Sequence, residues 1–260
     1  MILRLPTVLL LALAVLPLPM AAAALEGRLS MDGADLSLSL DDGRVLKGRA
    51  LVGLTLKLAG PAGEAEVRID GAEEDASLPD RPVTLFSLST QRPGQGPENL
   101  CTPDPKGRRL ALPLPDGAGG FGFTCTSGAE AKCVLMGYRP WEVREGVPMR
   151  DLHRACIHLL RADYGGDDRP TTRDGTIIDI YDRFGIQASE ADPTLSFEAA
   201  WGPDGALCVA HPRIPENVSL SALAERYPRL ARRLGPDSCT EAAMRNEPGA
   251  LLFNRSAARR

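Results

Sequence analysis

Six cysteines, Cys101, Cys125, Cys133, Cys156, Cys208 and Cys239, all lie beyond residue 100 of a 260-residue chain. The segment that opens the chain decides what they can become. Arg4 supplies a positive start, Leu5 to Leu18 form an apolar run broken by Pro6 and Pro17, and Met20 to Ala24 offer small side chains. This is the three-part pattern of a secretory signal peptide over residues 1–24, with cleavage after Ala24 and a mature start at Leu25. The apolar run is shorter than the ~20 uninterrupted residues that a spanning helix needs, so no membrane span is expected after signal removal. An exported chain meets an oxidising compartment, periplasmic or extracellular, and an even cysteine count there reads as three disulfides. Fifteen pairings of six cysteines are possible, and the sequence does not choose among them. The expectation is that two bridges close in the core around Cys133 and Cys156.

Charge narrows the field further. The net charge is −4 with Arg and Asp well mixed, which excludes the basic face that a nucleic-acid binder needs to neutralise phosphates. Residues 25–90 read as a β-rich region: Asp35 to Leu40, Leu51 to Leu58, Glu64 to Asp70 and Val83 to Leu88 alternate as strands, with turns at Gly43, Gly60-Pro61 and Gly71. Gly43, Gly48 and Gly53 repeat every five residues, but over too short a stretch to stack a β-helix. Residues 91–99, rich in Gly and Pro, form the expected linker. Beyond it, residues 100–256 mix strands at Arg108 to Leu114, Phe121 to Cys125 and Thr176 to Tyr181 with a hairpin from Leu195 to Ala210. Helices are expected from Pro148 to Tyr164, stopped by Gly165-Gly166, and from Ser219 to Leu234. The first helix places Leu152, Cys156, Leu159 and Asp163 on one face. The fold class is α+β, a small β-rich N-terminal region followed by a disulfide-stabilised α+β domain.

Seven phrases occur in order: Ala131-Lys-Cys133, Gly137-Tyr-Arg-Pro-Trp141, His153-Arg-Ala-Cys156, Arg161-Ala-Asp-Tyr164, Thr172-Arg-Asp-Gly-Thr176, Phe197-Glu-Ala-Ala-Trp201 and Phe253-Asn-Arg-Ser256. Together they make the chain resemble the ADYC-domain family of exported bacterial proteins over about residues 99–256, with an extension near Leu46 to Gly53. The resemblance carries no activity with it. One departure stands out: the motif that names the family ends in cysteine, and here that place is Gly165.

The chemistry-bearing residues are few. His153 and Cys156, three apart on a helix, could share a metal with Cys125 and Cys133 or form a thiolate pair, but export favours a bridged Cys156 with His153 packed beside it. No cofactor and no metal are expected. Asp163 and Asp174 with Arg161 and Arg173 are expected to form a buried ion network, and Asp163 to tie the loop from Gly165 to Thr172 onto the helix end. Phosphate loops, dinucleotide fingerprints and serine elbows do not occur. Tyr138, Trp141 and Trp201 suit a core better than a groove. The leading functional expectation is a non-enzymatic binding or structural module with a partner in the cell envelope or exterior. The alternative is a hydrolase of envelope polymers using His153, Asp163 and Asp174.

Overall fold

The computed structural model describes residues 27–258 apart from 34, 61–62, 79, 92–95 and 118; the expected signal peptide lies outside them. The first three strands, β1 (Gly27–Asp32), β2 (Asp35–Leu40) and β3 (Val45–Lys47), form an antiparallel sheet in that order. A 3-10 turn over Gly48–Leu51 follows. The second sheet takes β4 (Thr55–Gly60), β5 (Gly63–Asp75), β6 (Val83–Gln91), β8 (Ala111–Pro115) and β9 (Phe121–Cys125) in the order β4-β5-β6-β8-β9, with β7 (Pro97–Asn99) also on β6. Strands from both sides of residues 91–99 therefore share one sheet.

Next come α1 (Ala129–Leu135), a small hairpin of β10 (Val143–Arg144) and β11 (Val147–Pro148), and α2 (Met149–Arg161). The third sheet is formed by β12 (Ile178–Asp182), β13 (Ser196–Gly202), β14 (Gly205–Val209) and the closing β15 (Leu252–Ser256), in the order β12-β15-β13-β14. Between β14 and β15 lie α3 (Leu220–Arg226) and α4 (Glu241–Met244). The mixed α and β composition agrees with the sequence reading.

Several element bounds differ from the pattern-based expectation, each for a local reason. Gly71 does not end a strand; β5 runs through it with a register shift between Ile69 and Gly71, the irregularity that a bulge introduces. The helix expected from Ser219 to Leu234 stops at Arg226, because Pro228 has no N–H to continue it and starts a 3-10 turn instead. Gly43, Gly48 and Gly53 all take positive φ, so their five-residue spacing is a spacing of turns, not a coil repeat.

The core has two main parts. Leu36, Leu38, Leu51, Val67, Ile69, Phe86 and Leu88 pack between the first two sheets, and Met149, Leu152, Cys156 and Leu159 of α2 pack on Trp201, Ala199, Val209 and Leu252 of the third. Leu85 and Val83 join Leu112 with Ala131 and Val134 of α1, so β6 contributes apolar side chains to two clusters. The three disulfides are Cys101–Cys125, Cys133–Cys156 and Cys208–Cys239. Cys133 and Cys156 are thus partners in one bridge across α1 and α2, and not the centres of two. The reason is the facing of the two helices, which sets their Cα atoms 5.9 Å apart, within disulfide reach.

Denatured but unreduced protein is expected to take up no thiol reagent. Cys133→Ser with Cys156→Ser should lower unfolding free energy by about 2–5 kcal/mol in a non-reducing denaturant titration. Uptake of one or more equivalents of reagent would contradict this pairing.

Candidate functional site

The end of α2 organises the surroundings of Asp163. The helix closes at Arg161, three residues before its expected end at Tyr164, because Ala162 takes the left-handed conformation (φ 48°, ψ 43°). Its N–H donates to the Leu159 carbonyl and that of Asp163 to the His158 carbonyl, the paired bonds of a Schellman closure. The Leu160 carbonyl accepts from Arg213, the Arg161 carbonyl from the N–H groups of Thr171 and Thr172, and the Ala162 carbonyl from the Thr171 hydroxyl. A helix end normally leaves its last carbonyls unpaired; here each finds a donor, and the loop after Gly165 does fold back over the helix.

Asp163 is therefore in the turn and not on the helix face, but it is buried all the same. Its oxygens accept from the N–H groups of Gly166, Asp167 and Asp168 and from His158 Nδ1 at 3.1 Å. The arginines expected beside it are elsewhere: Arg161 pairs with Asp168 at 2.6 Å, and Arg173 lies by Glu216 and Asn217. Both side chains are long and reach solvent, while the turn amides are already aimed at the carboxylate. Burial raises the Asp163 pKa, but the His158 hydrogen bond and charge, with the turn amides, outweigh it and hold the carboxyl below its ordinary value.

The other candidates are placed apart. His153 is buried, and its Nε2 lies 3.0 Å from the Glu130 carbonyl of α1. A carbonyl only accepts, so Nε2 carries the proton, and burial depresses the ring's pKa. Asp174 is exposed. With two of the three buried in structural bonds and the third in solvent, His153, Asp163 and Asp174 do not open on one cleft. Cys156 and Cys125 are both bridged, and no group of three or more metal-ligating side chains occurs among the described residues. Tyr138 and Trp201 are core residues, as expected, and Trp141 is partly exposed.

The strongest polar constellation is one that the sequence reading passed over. Glu198 of β13 and Arg213 are fully buried and paired, with Nε 3.0 Å from Oε2 and Nη2 3.1 Å from Oε1. Tyr164 donates to Oε1 at 2.9 Å and accepts the Arg213 N–H, while Asn254 Nδ2 donates to Oε2 at 2.7 Å and its Oδ1 accepts from Trp201 Nε1. Burial beside the Glu198 charge drives the Tyr164 hydroxyl well above its ordinary pKa. The remaining Arg213 donors go to the carbonyls of Leu159 and Leu160 and to Thr172 Oγ1. A signal was present: a single carboxylate in Phe-Glu-Ala-Ala-Trp and an amide in Leu-Leu-Phe-Asn each interrupt an apolar run, and a buried charge must have a partner.

Two hollows flank the turn 173–176, and Arg213 lies in the wall of both. One, of about 480 Å3, has apolar walls from Ile177, Leu195 and Ile214. The other, of about 300 Å3, is lined by Lys132, Arg161, Thr172 and Arg173 among others.

A family model described as the ADYC domain matches residues 48–215 of the chain. The chain belongs to the ADYC-domain family. The matched stretch runs from the 3-10 turn before the second sheet through β14 to Pro215, so it includes Tyr164, Glu198 and Arg213, while Asn254 lies beyond it. It begins well before the stretch that carries most of the ordered phrases. No curated protein and no solved structure is found to match this ADYC-domain chain.

Asp163→Asn is expected to lower stability by about 1–3 kcal/mol at neutral pH, the loss typical of a charged hydrogen bond in a buried site. The folded pKa lies below the unfolded value near 4. The contribution is thus complete above about pH 5 and fades as pH falls through the folded pKa. Thermal melts of both proteins should differ at pH 7 and draw together as pH falls below about 4 through the folded pKa. An unchanged or raised melting temperature at pH 7 would contradict the structural role.

Proposed function

We propose that this ADYC-domain chain is an exported, non-enzymatic module that binds a partner or component of the cell envelope or exterior. The observation that carries the reading is the sequestration of its reactive groups. All six cysteines are bridged, His153 and Asp163 are committed to backbone partners, and the Glu198–Arg213 pair has its hydrogen-bonding capacity filled. An enzyme needs acid, base or nucleophile in contact with substrate. What faces solvent around the turn 173–176 is shape and charge, the requirements of a binding surface. Export is supported by the three disulfides, which persist in oxidising compartments, and by the signal-like residues 1–24. No helix among the described residues is long and apolar enough to cross a membrane.

The test is incubation of the disulfide-intact protein with isolated envelope material. The protein should sediment with it in a saturable manner and release no soluble fragments. Time-dependent release of fragments that His153→Ala, Asp163→Asn or Asp174→Asn abolishes would overturn the reading in favour of a hydrolase.

A further inference from the structure

We propose that the smaller hollow, between α1, the end of α2 and the turn 173–176, binds a phosphate group of the ligand. The inference rests on the binding-module reading and names the chemistry of its site. Lys132 from α1, Arg161 from the last turn of α2 and Arg173 from the returning loop line the same space of about 300 Å3, against one carboxylate, Asp174. Arg213 lines it as well but is neutralised by Glu198.

The charges already present leave the cations available. Lys132 has no ion pair among the described residues. Arg161 is held by Asp168, whose side chain is 83 % exposed, and Arg173 by Glu216 at 3.9 Å with both side chains about half exposed. Exposed pairs of this kind contribute little, so an incoming dianion competes with them readily. Thr172 adds a directed donor. Its Oγ1 accepts from Arg213 Nη1, which leaves its own proton to give to a ligand oxygen.

The arrangement favours phosphate over carboxylate. Three cations approach from three separate elements, and a tetrahedral group presents oxygens in several directions, whereas the two oxygens of a carboxylate share a plane. The hollow also adjoins the apolar one across the shared residues Arg173 to Thr176. A phosphate ester can therefore place a less polar part of its molecule next to the anion. A small ester and a lipid headgroup present the same phosphate chemistry to this hollow.

The experiment is calorimetry of the disulfide-intact protein at low ionic strength with inorganic phosphate, with glucose 6-phosphate, and with phosphatidylglycerol vesicles in a phosphatidylcholine background. At least one probe should bind saturably and weaken as salt rises, since the contacts are charge pairs. Lys132→Gln with Arg173→Gln should weaken that probe at least tenfold, while the melting temperature without ligand stays near wild type; Lys132→Gln alone should give a smaller loss. Preference for glucose 6-phosphate identifies a small ester, and preference for the vesicles a headgroup. Binding that the double variant retains, or no saturable binding of any probe below about 10 mM, would overturn the assignment. If envelope material is still retained in that case, the binding-module reading stands and the phosphate site alone falls.

Discussion

The Glu198 carboxylate and the Arg213 guanidinium are both removed from water, and the folded chain has to compensate each of them completely. Taking a carboxylate and a guanidinium out of water costs several kcal/mol per ion, which mutual attraction repays only when every remaining hydrogen-bonding position is also filled. That condition is met here. Each Glu198 oxygen accepts two hydrogen bonds, and all five Arg213 donors are used. The partners come from β13, β15, the end of α2, the loop that returns over it and the segment after β14. One pair thereby fixes the third sheet against the helix and sets the position of Thr172 at the edge of the smaller hollow.

The turn after α2 shows how the family's naming motif serves this arrangement. Ala162 closes the helix, Asp163 gathers the turn amides, and Tyr164 enters the core to reach Glu198 while stacking on Trp201 at 5.3 Å between ring centroids. Gly165 stands where the motif ends in cysteine, and a Cβ there would run into the ring of Tyr227, whose hydroxyl donates to Asp167. In this chain the aromatic ring fills the space, and a Gly165 side chain would displace it. Next to it, Gly166 meets the backbone of Asp204 and Gly205 in the β13–β14 hairpin turn. The Tyr164 carbonyl receives the Ala206 N–H. The helix end is therefore docked to the sheet by main chain as well as by the ion pair.

Much of this was legible from local pattern. The hairpin from Leu195 to Ala210, the strands at Asp35 and Val83, the buried α2 face and the oxidation of all six cysteines follow from periodicity, turn chemistry and compartment. So did the loop folding over the helix end, because a buried Asp163 demanded donors. The partners of long-range contacts were not legible. Nothing in the spacing of Arg161 and Arg173 distinguishes an arginine that reaches solvent from Arg213, which is buried only because Glu198, fifteen residues earlier, faces it across the core. The short α1 and α4 helices carry too few turns to show a period, and the Cys133–Cys156 pairing follows from how α1 meets α2, which is tertiary information.

The proposed function rests on the same frame, since Arg161 and Arg173 stand on elements that the buried pair locks together, and α1, which carries Lys132, is joined to α2 by the Cys133–Cys156 bridge. The most direct test of that frame is a double-mutant cycle on Glu198→Gln and Arg213→Met, read by reversible denaturant unfolding with the disulfides intact. Each single change leaves a buried charge uncompensated and should lower stability by about 3–5 kcal/mol. The double variant should lose far less than the sum, because the two residues act on each other. Singles that cost under about 1 kcal/mol, or losses that simply add, would contradict the claim that this pair holds the structure together.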